Sequence, residues 1–147
     1  MYRDGNVVNC YKPSEDEEYM NSNQVDYFRS LLLKKRCELL KEVDGFKNDL
    51  KNNDLKAADP VDLSSAHADI LLDFHARERN GDALEKIDRA LSRIVDGEYG
   101  YCELTGDEIG IKRLNAKPTA TLCIEAQEML ERDQKRGVPA VPVQGRI

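Results

Sequence analysis

Two long segments of the chain carry apolar residues at helical spacing. In the first, from Ser22 to Lys51, these residues are Val25, Phe28, Leu32, Leu39, Val43, Phe46 and Leu50. In the second, from Leu63 to Val95, they are Leu63, Ala66, Ile70 and Phe74, followed by Leu84, Ile87, Leu91 and Ile94. Such spacing places side chains on one face of an α-helix and comes close to a heptad repeat. The pattern predicts two long antiparallel helices that pack along one apolar stripe each.

The stretch Asp59-Pro60-Val61-Asp62 separates the two segments and predicts where the second helix begins. Pro is favourable at the first helical position because its missing N–H would have no helical partner there. Asp59 fits as the N-cap, and Asp62 faces the positive end of the helix dipole. Gly81 falls inside the second helix, where we expect a kink or local fraying. Gly97 fits as the left-handed residue that ends it.

The remaining segments predict a small base that holds this hairpin. Residues 1–21 are expected to be partly disordered or packed on the base, and residues 22–95 form the hairpin, with its tip near 54–64. Residues 96–126 form a small turn-rich domain in which Ile109-Gly110-Ile111 fits a short strand. A last helix begins near Cys123, and its end lies within residues 127–137. Residues 138–147 are expected to be disordered. The predicted fold class is mainly α: a long antiparallel coiled-coil hairpin on a small globular base, followed by a C-terminal helix.

Composition and charge exclude several functional classes. The net charge is -6 and the basic residues are interleaved with acids, which argues against direct sequence-specific DNA binding. No apolar run approaches the roughly 20 residues that span a bilayer, and no signal core follows Met1. We therefore expect a cytoplasmic protein without membrane contact. The sequence contains no Gly-rich phosphate loop, no nucleophile–base pair and no intact metal site. We therefore do not expect an enzyme.

Cys102 and Cys123 each open a C-x-x-C frame whose second position holds another residue, Thr105 or Ala126. Cysteine at all four positions would indicate structural zinc, which takes four nitrogen or sulfur ligands. Two thiols are too few, so we expect no tightly bound zinc. Thr105 can bond to backbone in place of a metal-bound thiolate. Packing must then hold the base, through Tyr99, Tyr101, Leu104, Ile109, Ile111, Leu114 and Leu122.

Five short motifs carry a resemblance to a known family through their order and spacing. They are Asp59-Pro60-Val61-Asp62, Gly100-Tyr101-Cys102-Glu103, Glu108 to Leu114, Lys117-Pro118-Thr119-Ala120 and Leu122-Cys123-Ile124. From about Glu17 to about Arg136 the chain resembles the DksA/TraR family of bacterial transcription factors. That family folds as a coiled-coil hairpin on a zinc-knuckle domain with a C-terminal helix, which agrees with the fold predicted above. With its two replaced ligand positions, the chain resembles a zinc-ligand-deficient (Cys-Thr-Cys-Ala) DksA paralogue.

The resemblance implies that the protein binds RNA polymerase, as a monomer, and that its hairpin enters the polymerase's secondary channel. Promoter complexes are then modulated together with the alarmone ppGpp, in the stringent response. Asp59 and Asp62 match the family's two tip acids, which approach the polymerase active site. Ser64 stands where the family has Ala. A hydroxyl left unpaired in a tight contact costs about 1–3 kcal/mol, so Ser64 is expected to weaken the tip.

The resemblance also places Arg79, Lys86, Arg113, Lys117 and Gln127 at the ppGpp site and the polymerase rim. Lys117 stands where Arg is typical and loses its bidentate phosphate geometry. Gln127 stands where the family has Lys and removes a phosphate-binding charge. We therefore expect weaker ppGpp binding at that interface. For Arg79 and Lys86, an ordinary solvated helix face is the alternative.

The missing zinc ligands suggest a zinc-independent member that serves when zinc is scarce or thiols are oxidised. Two other interpretations stay open. The protein could occupy the polymerase channel with a blunted tip and compete with related factors without full regulation. It could instead be a thiol redox sensor, because Cys102 and Cys123 could lie close enough for a reversible disulfide. In the cytosol, two inert thiols are the expected state.

Overall fold

The computed structural model describes residues 11–53 and 60–137 of the chain, without the side chains of residues 46–53, 60–64 and 66. Those ranges contain α1 (Ser22–Asn53), α2 (Pro60–Asp96), α3 (Ile111–Ala116) and α4 (Ile124–Lys135). The mainly α fold class is confirmed, and α1 ends two residues after the predicted Lys51. None of the helices in the described ranges is long and apolar enough to cross a membrane. Residues 1–10 and the predicted tail, 138–147, lie outside the description.

The two hairpin helices have well-defined ends at the base. At the start of α1, Asn21 Oδ1 accepts a hydrogen bond from Gln24 N–H at 2.9 Å, which makes Asn21 the N-cap. At the end of α2, the N–H groups of Gly97 and Glu98 donate to the carbonyls of Ile94 and Arg93. Gly97 has φ 77°, so this is a Schellman motif at the predicted stop.

Helix α2 passes through Gly81 without an interruption, and the kink or local fraying expected there stays a prediction that amide hydrogen exchange can test. A Gly inside a helix costs about 1 kcal/mol relative to Ala, but tertiary packing commonly overrides such a preference. One turn and a half further on, Ile87 is buried in the core and fixes α2 against α1.

One core joins the root of the hairpin to the base. It contains apolar side chains from α1, from α2, from both short helices and from the intervening loops. They are Phe28, Leu32, Ile87, Ala90, Ile94, Tyr99, Cys102, Ile109, Ile111, Leu114, Ala120, Cys123 and Ala126. The base therefore does not fold around a separate centre. It adds its apolar side chains to those of the two helices.

The base begins with a short antiparallel turn. Tyr101 and Glu108 form an isolated β-bridge, and Cys102 N–H donates to Asp107 O at 2.7 Å. The strand predicted at Ile109-Gly110-Ile111 is wrong, because Gly110 has φ 97° and Ile111 starts helix α3. Both isoleucines are nevertheless buried.

Most of the apolar residues predicted to hold the base do so. Tyr99, Ile109, Ile111 and Leu114 are buried, and Leu122 packs against them. The Tyr101 ring makes an edge-on contact with Tyr19, with centroids 5.7 Å apart. The prediction was wrong for Leu104, which is 38% exposed. Leu104 lies in the tight turn that the bond from Gly106 N–H to Cys102 O closes, so its side chain points away from the core.

Residues 11–21 lie against the base. Tyr19 Oη donates to Gly100 O at 2.7 Å and accepts from Gly110 N–H at 3.1 Å. Met20 packs so closely on Gly100 that a Cβ at that position would come within 2.8 Å of the Met20 side chain. The fully buried Gln24 accepts from Met20 N–H and donates to Ser14 O. The segment before α1 is thereby bonded to the loop after α2.

Candidate functional site

The tip residues lie at the far end of the hairpin from the base. Asp59 is outside the described residues. Pro60 is the first residue of α2, so Asp62 lies in its first turn and Ser64 just after it, and their side chains are outside the description. Their backbone position puts both residues next to the positive end of the helix dipole.

Cationic side chains meet where α2 approaches the base. Lys86, Arg89, Arg113 and Lys117 line a cavity of about 140 Å³ together with Gln127. No carboxylate contributes to the described lining of this cavity. In a protein with a net charge of -6, this is a local concentration of positive charge that can attract a phosphorylated ligand.

A second cavity, of about 430 Å³, lies between α1, α2 and the base. Arg79, Lys86 and Lys117 line it on one side, and Lys35 contributes from α1. Glu38 also belongs to its lining, so this cavity is less positive than the smaller one. Lys86 and Lys117 line both cavities, which therefore border each other. The structure thus brings together residues that lie far apart in the sequence.

Existing bonds decide how available each of these side chains is. Arg113 Nε donates to Leu122 O at 2.9 Å, so part of its guanidinium is committed to the base. Gln127 Nε2 donates to Glu131 Oε1 at 2.8 Å. The amide is therefore held beside a carboxylate, which disfavours an anion there. Arg79 Nε makes only a long bond of 3.4 Å, to His75 O on its own helix.

Sequence reasoning did not single out Arg89, which lines the smaller cavity. It pairs with Glu85 at 3.4 Å, and both side chains are largely exposed. Arg89 follows Lys86 by three residues on α2, so the two share a helix face. That spacing was the signal that could have identified Arg89.

The hydroxyl group of Thr105 lies beside a thiol of the base. Thr105 Oγ1 is 3.8 Å from Cys123 Sγ and also accepts a hydrogen bond from Asp107 N–H at 3.3 Å. Thr105 therefore bonds to backbone as predicted and contacts the sulfur of Cys123.

The surroundings of Cys102 favour its ionised form. Burial raises the pKa of the thiol, but hydrogen bonds from the Thr105 side chain and from the N–H groups of Cys123, Thr105 and Leu104 outweigh burial and lower the pKa to about 7. Hydrogen bonds that a charged form accepts stabilise it. A substantial fraction of Cys102 is then thiolate at neutral pH.

The donor atoms of the base do not fit zinc. Tetrahedral zinc takes four ligands, and the fourth position of the frame is Ala126, whose side chain is 2% exposed and offers only a methyl group. Within residues 11–53 and 60–137, no group of three or more His, Cys, Asp or Glu side chains is placed to hold a metal ion. At two of the four ligand positions of the frame, the chain has the buried methyl group of Ala126 and the side chain of Thr105.

Comparison with known proteins agrees with this architecture. Residues 24–94 match the family model described as DnaK suppressor protein DksA, N-terminal domain, and residues 97–132 match the prokaryotic dksA/traR C4-type zinc finger. The RNA polymerase-binding transcription factor DksA of Caulobacter vibrioides is 44% identical over 125 residues, which cover 85% of this chain and 88% of that protein. The protein of that name in Escherichia coli is 36% identical over 129 residues, covering 88% and 85%. Among solved structures, transcription factor DksA2 from Pseudomonas aeruginosa matches with a TM-score of 0.75 and 40% identity, over 80% of this chain and 90% of that one.

Proposed function

Because this chain belongs to the DksA/TraR family, we propose that it is a bacterial, cytoplasmic regulator that binds RNA polymerase directly and has no enzymatic activity of its own. In this proposal the monomer inserts its hairpin into the secondary channel of the polymerase and brings the tip near the active site. Its relatives from Caulobacter vibrioides and Escherichia coli are named for binding RNA polymerase.

The observation that carries the proposal is the hairpin itself. Helix α2 has 37 residues, which corresponds to a length of about 55 Å. Two packed helices are roughly 20 Å across, so the hairpin is a long, narrow projection from a wider base. Such a shape suits insertion into a channel up to the point where the base meets the rim.

The tip would present Asp59 and Asp62 to the polymerase. Asp62 lies in the first turn of α2, where the helix dipole favours an ionised carboxylate, and Asp59 directly precedes this helix in the sequence. Their charge is then available for the catalytic metal region or for basic side chains around it. Ser64, two residues after Asp62, would tune how closely the tip can pack.

The cationic junction would hold the phosphates of ppGpp. Arg79, Lys86, Arg113 and Lys117 surround the two cavities, and Arg89 adds a further charge. The larger cavity, at about 430 Å³, lies within the roughly 300–1,000 Å³ of a small-molecule site, but Glu38 and Glu42 line it; the smaller one, at about 140 Å³, has no carboxylate in its lining. In this proposal the phosphates bind at the smaller cavity, and the polymerase supplies the rest of the binding site. The bond between Gln127 and Glu131 supports weaker ppGpp binding than a lysine at position 127 would give.

The base would perform this role without zinc. Its core is continuous with the hairpin, and Thr105 and Ala126 occupy two of the four ligand positions. A regulator of this kind would remain folded when zinc is scarce or when thiols are oxidised.

Transcription from a ribosomal promoter by purified polymerase tests the proposal, with and without ppGpp and with a chelator present throughout. We expect inhibition that survives the chelator. Asp62→Asn should raise the concentration needed for inhibition by about tenfold, equivalent to about 1.4 kcal/mol, because a tip charge is lost. Asp69→Asn, at an exposed acid on the same helix, is the matched control and should leave inhibition unchanged.

Other outcomes separate the alternatives. Binding to polymerase without inhibition would identify a channel competitor with a blunted tip, and Ser64→Ala should then restore inhibition. Absence of binding would refute the proposal. Loss of activity in the chelator would refute zinc independence alone.

A thiol redox sensor is a second candidate, favoured by the lowered pKa of Cys102 and by the contact of Cys123 with Thr105. Thiol titration by mass spectrometry after mild peroxide treatment tests it. A disulfide between Cys102 and Cys123 would support this function, and two unmodified thiols would exclude it.

A further inference from the structure

The two cysteines of the base are neighbours in the fold. Glu103 N–H donates to Thr121 O at 2.9 Å, so the backbone beside Cys102 is bonded to the backbone just before Cys123. Thr105 lies in the turn that Gly106 N–H closes on Cys102 O, and its Oγ1 is 3.8 Å from Cys123 Sγ. Cys102 and Cys123 are 4% and 9% exposed, so the pair is largely shielded from bulk water. The arrangement is a pair of buried thiols on neighbouring stretches of backbone.

We propose that Cys102 and Cys123 form a two-thiolate binding site for a soft monovalent metal ion, with Cu(I) as the ion. Thiolates select soft ions such as Cu(I) over hard ones. Zinc needs four ligands, and Ala126 and Thr105 remove two of them. Cu(I), a closed-shell ion without a strong geometric preference, is stable with two thiolates in a nearly linear arrangement. The replacements that make the site unsuitable for zinc therefore leave the ligand number that Cu(I) accepts.

The surroundings of the pair suit such an ion. Cys102 lines an open cavity of about 570 Å³, which gives an ion a route to the buried sulfur. A Cu(I) ion with two thiolates carries one net negative charge. The same cavity is lined by Arg89 and Arg93 and by Glu98 and Glu103, and Arg93 pairs with Glu103 at 3.7 Å, so its charged side chains balance each other. Binding forms two copper–sulfur bonds and releases the remaining thiol protons, and the ion keeps its oxidation state.

Anaerobic titration with Cu(I) in competition with a coloured Cu(I) chelator tests the proposal. The background is the Cys10→Ser/Cys37→Ser variant, which keeps only the two thiols of the base. We expect one Cu(I) per chain in this variant, a thiolate-to-copper absorption band in the ultraviolet, and two sulfur neighbours by X-ray absorption. Loss of a group that only supports a metal ligand typically lowers metal affinity by about 10–100-fold, and loss of a ligand itself costs more. Cys102→Ser or Cys123→Ser in this background should therefore weaken Cu(I) binding by at least about 100-fold.

Two further measurements keep the test independent of folding defects. Circular dichroism must show that each variant remains helical, and Cu(I) should raise the unfolding temperature of the chain that keeps both thiols and not that of the single-thiol variants. Thr105→Cys should add a third thiolate and raise the affinity for Zn(II). The proposal is overturned if Cu(I) binding persists in the folded single-thiol variants, if it requires Cys10 or Cys37, or if Zn(II) displaces Cu(I) from the unmodified site at equal concentration. Transcription is not measured, so the outcome is separate from that of the polymerase proposal.

Discussion

The root of the hairpin and its middle use apolar residues in opposite ways. At the root, Phe28 and Leu32 are fully buried and Ile87 is 3% exposed. In the middle of α2, the exposed fractions of Ile70 and Phe74 are 55% and 62%. The root packs on the base, whereas these two apolar side chains in the middle of α2 are mostly exposed.

The contrast shows where the free energy of folding resides. Apolar burial contributes about 25 cal/mol per Å², so the root carries most of it and the middle carries little. Regions with few buried apolar contacts open locally at low cost. The hairpin is therefore anchored at one end, and its outer part can adapt to a partner without destabilising the base.

The largest effect should come from truncating the root. Phe28→Ala removes a fully buried ring and should lower the free energy of unfolding by about 3–5 kcal/mol. Phe74→Ala removes the same side chain from an exposed position and should change it by no more than about 0.5 kcal/mol. Urea unfolding followed by circular dichroism measures both. Equal effects would mean that the middle is packed as tightly as the root.

A smaller loss should follow from Arg93→Met. The Arg93 guanidinium donates to Glu98 O at 3.0 Å and to Tyr101 O at 2.6 Å, and it is largely buried. Both bonds are only partly buried, so the loss of the charged donor from the two carbonyls should cost about 1–3 kcal/mol in total. Arg89→Met is the matched control: its exposed pair with Glu85 should contribute no more than about 1 kcal/mol. Chemical denaturation that gives equal losses for both variants would refute a specific role for Arg93.

Tyr19→Phe tests the bond between the N-terminal segment and the base. Gly100 O keeps its bond from Ile109 N–H, but Gly110 N–H loses its partner, which should cost about 1–2 kcal/mol. Tyr11→Phe removes a hydroxyl that donates to the exposed Glu17 and should have little effect. Thermal unfolding compares the two, and faster proteolysis before α1 in Tyr19→Phe would support the assignment.

The smallest effect concerns pH. The pKa of Cys102 is lowered from 9.0 to about 7 in the folded chain, so between these values the unfolded chain binds more protons. Stability from this group is then fully present above pH 9, falls as the pH drops toward 7, and is lost below it. We expect a gain on the order of 1 kcal/mol between pH 7 and 9, absent in Cys102→Ser. Unfolding midpoints measured across this range provide the check.

Helices that extend over many residues could be predicted from the sequence. Local structure that depends on a single backbone torsion angle could not. The repeat of apolar residues predicted both long helices, and the Gly97 stop was found because a left-handed residue leaves a composition signal. The strand at Ile109-Gly110-Ile111 was wrong because β-branched residues fit a buried helical turn equally well once Gly110 redirects the chain. Helix α2 continues through Gly81 in spite of the low helix propensity of Gly.

The resemblance predicted which cationic residues lie near one another, but not the contacts that each of them makes. The resemblance pointed to Arg79, Lys86, Arg113 and Lys117, and the structure places all four along two bordering cavities. Sequence reasoning did not show that Gln127 is held by Glu131, because that depends on the chosen rotamers. Nor could it place the Tyr19 hydroxyl between Gly100 and Gly110, since contacts over such a separation in sequence have no local signal.

The contact of Tyr19 and Met20 with Gly100 ties the residues just before α1 to those just after α2. Mechanically, this makes the hairpin a lever clamped at one end. Over a length of about 55 Å, a tilt of one degree at the clamp moves the far end by roughly 1 Å. A substitution that tilts the hairpin at the clamp would therefore displace Asp62 more than most substitutions of residues next to Asp62. Residues of the base thus determine where the tip is positioned.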